Sequence, residues 1–142
     1  MAVSEYMSRK GKLLSSQEEV FNFVTDIRNF EQFIPKGTVT NLHTEKESCS
    51  FDVAMLGTVT LHISEKIMFN RVVFSGNALH VNDFSLIINI SDAGDLQSDA
   101  NVKLVADMNP FLKMVADKPI LNFLEMLVSG MENFRDWKNV KQ

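Results

Sequence analysis

At 142 residues the chain is of single-domain size, and its 45% hydrophobic fraction suffices for one continuous core without disulfides or a structural metal. Lys and Arg number 14 against 18 for Asp and Glu, and the net charge of -4 argues against a general affinity for nucleic acid or anionic membranes. Cys49 is the only cysteine, which excludes an internal disulfide and fits a reducing compartment.

The opening MAVSEYMSRK has no apolar segment of the secretory kind, and no run reaches the apolar length a membrane span requires. A cytoplasmic protein without stable membrane insertion is expected. No low-complexity stretch, charge block or repeat divides the chain, so residues 1–142 read as one domain.

Tyr6 to Leu14 reads as a first strand, polar on one side through Ser8, Arg9, Lys10, Gly11 and Lys12. At Ser16 the pattern changes. Ser16-Gln17-Glu18-Glu19 fits a capping box, the Ser16 hydroxyl serving the Glu19 amide and the Glu19 carboxylate reaching back. Val20, Phe21, Val24 and Ile27 then recur at helical spacing and predict a helix from Gln17 to Asp26. Arg28 to Pro35 predicts a second short helix, ended where Pro35 disfavours helical geometry at Ile34.

From Thr38 to Met108 the period is two, the mark of strands buried on one face. Cys49, Phe51, Val53 and Met55 share a face opposite Ser50 and Asp52. Val59, Leu61 and Ile63 alternate with Thr58, Thr60, His62 and Ser64, and Gly57 stands between the two runs where a tight hairpin needs positive φ. Phe84, Leu86, Ile88 and Ile90 form a third set and Val102, Leu104, Ala106 and Met108 a fourth, with Asp92-Ala93-Gly94-Asp95 as the turn between them. Thr38 to His43 and Arg71 to Gly76 add two weaker strands. An antiparallel meander follows.

Asn109-Pro110 then opens a helix with a capping side chain and a residue whose missing N–H costs nothing at the first position. Ile120, Phe123, Leu124, Leu127, Met131 and Phe134, with Leu121 and Val128 beside them, form an apolar stripe that must lie on the sheet. Glu125, Ser129, Glu132, Asn133 and Asp136 lie mostly off it. Pro119 implies either a kink near Asp117 or a fresh helix start there. The class is α+β.

This order of strand, two short helices, antiparallel strands and one long helix resembles the START-like superfamily, also called SRPBCC, which includes the birch-pollen allergen class and polyketide cyclases. The resemblance covers nearly the whole chain. It is carried by Ser16-Gln17-Glu18-Glu19-Val20-Phe21 leading to Asp26-Ile27-Arg28-Asn29-Phe30 and on to Pro35, and by the closing Asn109-Pro110 helix. It implies a helix-grip fold, a curved antiparallel sheet wrapped around a long C-terminal helix with two short helices after the first strand. It also implies a cavity between sheet and helix, used in different members for lipids, sterols, plant hormones, polyketides or coenzyme Q. The superfamily has no invariant catalytic signature, so no catalytic residue is carried over.

The residues expected to line that cavity are Phe51, Val53, Met55, Ile63, Phe84, Leu86, Ile88, Met108, Phe123, Leu124 and Leu127. Periodicity points each of them inward whether the space is open or filled. The expected function is binding of a hydrophobic small molecule, with no cofactor and no metal, in a monomer or weak homodimer. A cyclase- or hydratase-type enzyme is the alternative, with Asn89, Ser75, Asn77, Asn122 and Asp83 as the nearest polar groups, but the inward sets are almost wholly apolar and lean away from catalysis. A protein-interaction module is a third reading, supported only by the outward pair Ile87 and Val105.

The remaining reactive residues read as structural. His43, His62 and His80 stand apart without a carboxylate or cysteine at metal-ligand spacing. Cys49 shares the inward face with Phe51 and reads as a buried inert thiol. Asp92, Asp95 and Asp99 lack the order of a calcium loop and read as a solvated turn. The eight methionines suit an adaptable apolar lining and ordinary gap-filling equally.

Overall fold

The structure, a computed structural model, describes residues 2–33, 37, 39–53, 57–78 and 81–137. Its eight strands are β1 (Ala2–Met7), β2 (Gly11–Leu13), β3 (Val39–Thr44), β4 (Ser48–Val53), β5 (Gly57–Ile67), β6 (Arg71–Ala78), β7 (Val81–Asp92) and β8 (Ser98–Met108). Helices α1 (Gln17–Val24) and α2 (Ile27–Phe30), a 3₁₀ turn at Glu31–Phe33 and the long α3 (Pro110–Asn133) complete the described elements. The strands form one antiparallel sheet in the order β1-β8-β7-β6-β5-β4-β3, with β2 also on β8. The meander from β3 to β8 is the predicted one, and the first strand joins the last. This is the helix-grip α+β architecture.

The first strand differs from expectation. It begins at Ala2 rather than Tyr6 and is broken into β1 and β2 at residues 8–10. There the Ser8 Oγ accepts the Val102 N–H at 2.9 Å, a side chain standing in for a main-chain acceptor. The register slips between Met7↔Lys103 and Gly11↔Ala100, and the buried positions change phase from Ser4, Tyr6 and Ser8 to Gly11 and Leu13. A single alternating run therefore misreads it.

At the start of α1 the Glu19 amide donates to Ser16 Oγ at 3.2 Å, and the Glu19 carboxylate accepts from the Ser15 hydroxyl at 3.0 Å. The helix ends at Val24, before the predicted Asp26, because Asp26 caps α2. Its Oδ1 accepts the Arg28 N–H at 3.0 Å, and the Arg28 guanidinium closes on the same carboxylate at 2.6 Å. Pro35 lies outside the described residues.

Gly57 has φ +79°, the conformation expected of it at the start of β5. Gly76 on β6 is required for another reason. A Cβ there would stand 2.1 Å from the Thr60 carbonyl oxygen of β5 and 2.9 Å from the Leu61 side chain.

Helix α3 is capped by Asn109, whose Oδ1 accepts the Leu112 N–H at 2.8 Å, and it runs unbroken through Pro119, which sets aside a fresh start near Asp117. Leu124, Leu127, Val128 and Met131 are buried against the sheet, whereas Leu121, expected beside the stripe, is exposed. The polar flank of α3 packs on the β1–β2 segment. Arg9 reaches Glu132 at 2.6 Å and Ser129 at 3.0 Å, and the Lys12 N–H donates to Glu132 at 3.1 Å. Beyond α3, Phe134 and Trp137 pack tilted or edge-on against Phe23 and Phe33 at ring distances of 5.0 to 5.3 Å. This aromatic cluster fills the space beneath the C-terminal half of the helix.

Candidate functional site

With that end filled, the room between sheet and helix lies on the other side of α3. A cavity of about 410 Å³ is found there, within the size range of small-molecule sites. Its floor is the inner face of the sheet: Phe51 and Val53 of β4, Val59 and Leu61 of β5, Phe84 and Leu86 of β7, and Leu104, Ala106 and Met108 of β8. Ala78 of β6 and Ala106 are short, and their small side chains leave space where a Leu or Phe would fill it. Phe30 of α2 and Val39 of β3 close one side. Pro119, Ile120, Asn122, Phe123 and Met126 of α3 close the other. Pro119, Asn122 and Met126 are exposed as well as lining, so the cavity meets solvent along this flank of the helix.

Six of the residues expected to line a cavity do so: Phe51, Val53, Phe84, Leu86, Met108 and Phe123. Four do not. Ile88, Leu124 and Leu127 are fully buried in the packed core, because that face of α3 rests directly on the sheet. Ile63 is half-buried, next to an irregularity in the β5–β6 register that ends the alternation at Glu65. Met55 lies outside the described residues. Leu104, Ala106, Val59 and Leu61 share the inward faces of predicted positions and were legible as inward. Pro119 and Met126 were not, since the stripe marks the helix face against the core and these sit on its edge.

Of the polar candidates, only Asn122 reaches the cavity. Asn89 lies on the outer sheet face, accepting from Arg71 and donating to Asn101, both at 3.0 Å. Ser75 shares a 2.7 Å hydrogen bond with Ser64, and Asn77 accepts from Thr60 at 3.0 Å. Ser75, Asn77 and Asp83, together with His62, border a separate groove of about 400 Å³ on that outer face. Ile87 and Val105 are half-buried there rather than prominent. His43 and His62 are exposed, and His80 lies outside the described residues.

Cys49 is buried on the inner face, as expected. Burial, with a smaller contribution from the charge of Glu31, pushes its thiol up to about 11, which keeps it protonated at neutral pH. Among the described residues no group of three or more His, Cys, Asp or Glu is placed to hold a metal ion, and no helix is long and apolar enough to cross a membrane.

By sequence, no family model and no curated protein matches the chain. Solved structures do. A START superfamily protein from Mycobacterium smegmatis superposes with a TM-score of 0.64 at 13% identity, over 90% of this chain and 97% of that one. The fold is START-like. Norcoclaurine synthase from Thalictrum flavum superposes with a TM-score of 0.70 at 7% identity, over 92% of this chain and 85% of that one. The protein XoxI from Bacillus cereus gives 0.67 at 12% identity, over 93% and 94%. The START-like domain thus keeps its architecture at identities too low to carry residues across, and the cavity is read from its own side chains.

Proposed function

We propose that this START-like domain binds a hydrophobic small molecule in the cavity between the sheet and α3. The carrying observation is the lining: apart from Asn122, every described side chain facing the roughly 410 Å³ space is apolar. Such a surface recognises its ligand through burial, worth roughly 25 cal/mol per Å² of apolar area removed from water, and through shape. Phe51, Phe84 and Phe123, from β4, β7 and α3, supply large flat contacts, and Val53, Leu86 and Met108 add to them.

Native mass spectrometry of protein taken directly from cells tests this. A co-purifying apolar mass, or displacement of a neutral fluorescent probe such as N-phenyl-1-naphthylamine by lipids, sterols or quinones, is the expected outcome. A bare mass together with no probe binding would overturn it.

The likeness to norcoclaurine synthase is compatible with a cyclase- or hydratase-type reading of the same cavity. General acid–base chemistry needs a titratable group within reach of the reacting atoms, and among the described lining residues the only polar side chain is an amide. Binding is the better-supported reading.

A further inference from the structure

Burial sorts the sulfur chemistry of the chain. Cys49, the one cysteine, is buried and keeps its proton at neutral pH, so a peroxide finds no accessible thiolate there. The thioethers are the remaining oxidisable sulfurs, and their susceptibility follows exposure. Among the described methionines, Met108 and Met131 are buried, whereas Met7, Met68, Met114 and Met126 are exposed. The cavity sorts them a second time, because Met108 and Met126 are the described methionines that line it. Met126 alone meets both conditions: it is 46% exposed, and it belongs to the wall that faces the ligand space. It stands one turn beyond Asn122 and two turns beyond Pro119, on the flank of α3 where the cavity meets solvent.

We propose that Met126 is an oxidation site that regulates occupancy of the cavity: hydrogen peroxide converts its thioether to the sulfoxide, and the oxidised wall holds apolar ligands less tightly. The proposal rests on the cavity being a ligand site and adds a chemical control to it. In the step a sulfur lone pair attacks one peroxide oxygen, the S–O bond forms as the O–O bond breaks, and the other oxygen leaves as water. Sulfur is oxidised by two electrons and the peroxide is reduced by two. A flexible apolar side chain thereby becomes a polar one with a strong acceptor oxygen. Where that oxygen faces the cavity, an apolar ligand strips its water and offers no donor in return. Where it turns outward to keep its water, the side chain turns with it and the ligand loses apolar contact. Both arrangements weaken binding. Thiol-dependent sulfoxide reductases restore the thioether, so the change is reversible.

The test is graded hydrogen peroxide treatment of the full chain, with oxidation read at each methionine by peptide mass spectrometry and binding read by titration with N-phenyl-1-naphthylamine. Met126 is expected to oxidise together with Met7, Met68 and Met114 and well ahead of Met108 and Met131. Affinity for the probe should fall at least about threefold in step with the Met126 sulfoxide. Met126→Leu, compared with itself before and after the same treatment, carries the other methionines through the oxidant and should keep its own affinity. Met126→Gln, polar at similar length, should bind the probe more weakly than Met126→Leu with no oxidant present. Affinity unchanged at full Met126 oxidation, an equal loss in treated Met126→Leu, or equal binding by the Gln and Leu variants would overturn the control while leaving apolar binding intact. If the untreated wild type does not bind the probe, the ligand-site reading falls and the control falls with it.

Discussion

Tyr6, the only tyrosine of the chain, lies on the inner face of the edge strand β1 and donates its hydroxyl to the Asp117 carboxylate on α3. The Lys113 ammonium reaches the same carboxylate at 3.2 Å. Burial first, and then the Asp117 contact, push the Tyr6 hydroxyl up to about 12. The folded protein thus holds this proton more tightly than the unfolded chain, whose tyrosine titrates near ~10. Between those values the unfolded state binds fewer protons, so this contribution to stability is complete below about pH 10 and is lost as pH rises toward about 12. Urea midpoints measured at pH 9 and pH 11 should therefore fall further for the wild type than for Tyr6→Phe; equal falls would contradict the assignment. Neither residue announced this contact in the sequence. Tyr6 read as part of a polar strand and Asp117 as the neighbourhood of a proline, and only the pairing of the first strand with the last brings them together.

Among the elements, β6 shows how a weak sequence pattern can conceal a strict requirement. Arg71 to Gly76 reads as an irregular strand, yet Gly76 lies where the β5 backbone comes too close for any side chain. Gly76→Ala is expected to destabilise the domain by about 1–3 kcal/mol through overpacking, or by more if the two strands cannot part, measured as a shift in the urea midpoint at unchanged slope. Helix α3 shows the opposite case. Its cap at Asn109 and its stripe of Leu124, Leu127, Val128 and Met131 were plain from the residues, because 3.6-residue periodicity records which face is buried. What the stripe leaves open is what it is buried against. The face of α3 that rests on the sheet took Leu124 and Leu127 into the core, and the flank beside it left Phe123 lining open space.

At the scale of the whole molecule, the decisive quantity is the balance between the aromatic cluster at one end of the interior and the short side chains at the other. Phe23, Phe33, Phe134 and Trp137 close the first end, and Ala78 and Ala106 hold the second open. Ala106→Leu tests this directly. In a filled core the added atoms cost about 1–3 kcal/mol. Here they are expected to enter the cavity, changing stability by less than about 1 kcal/mol while weakening the binding of N-phenyl-1-naphthylamine at least about tenfold. A large loss of stability with binding unchanged would show the space to be occupied already. The sequence by itself determined the α+β class, the meander, the capped helices and the inward faces, because alternation, capping and helical spacing are local rules written in neighbouring residues. The tertiary structure alone decided the break in the first strand, the passage of α3 through Pro119, and which inward residues face a cavity rather than one another. Those outcomes depend on how side chains from distant strands share one volume, which no periodicity encodes.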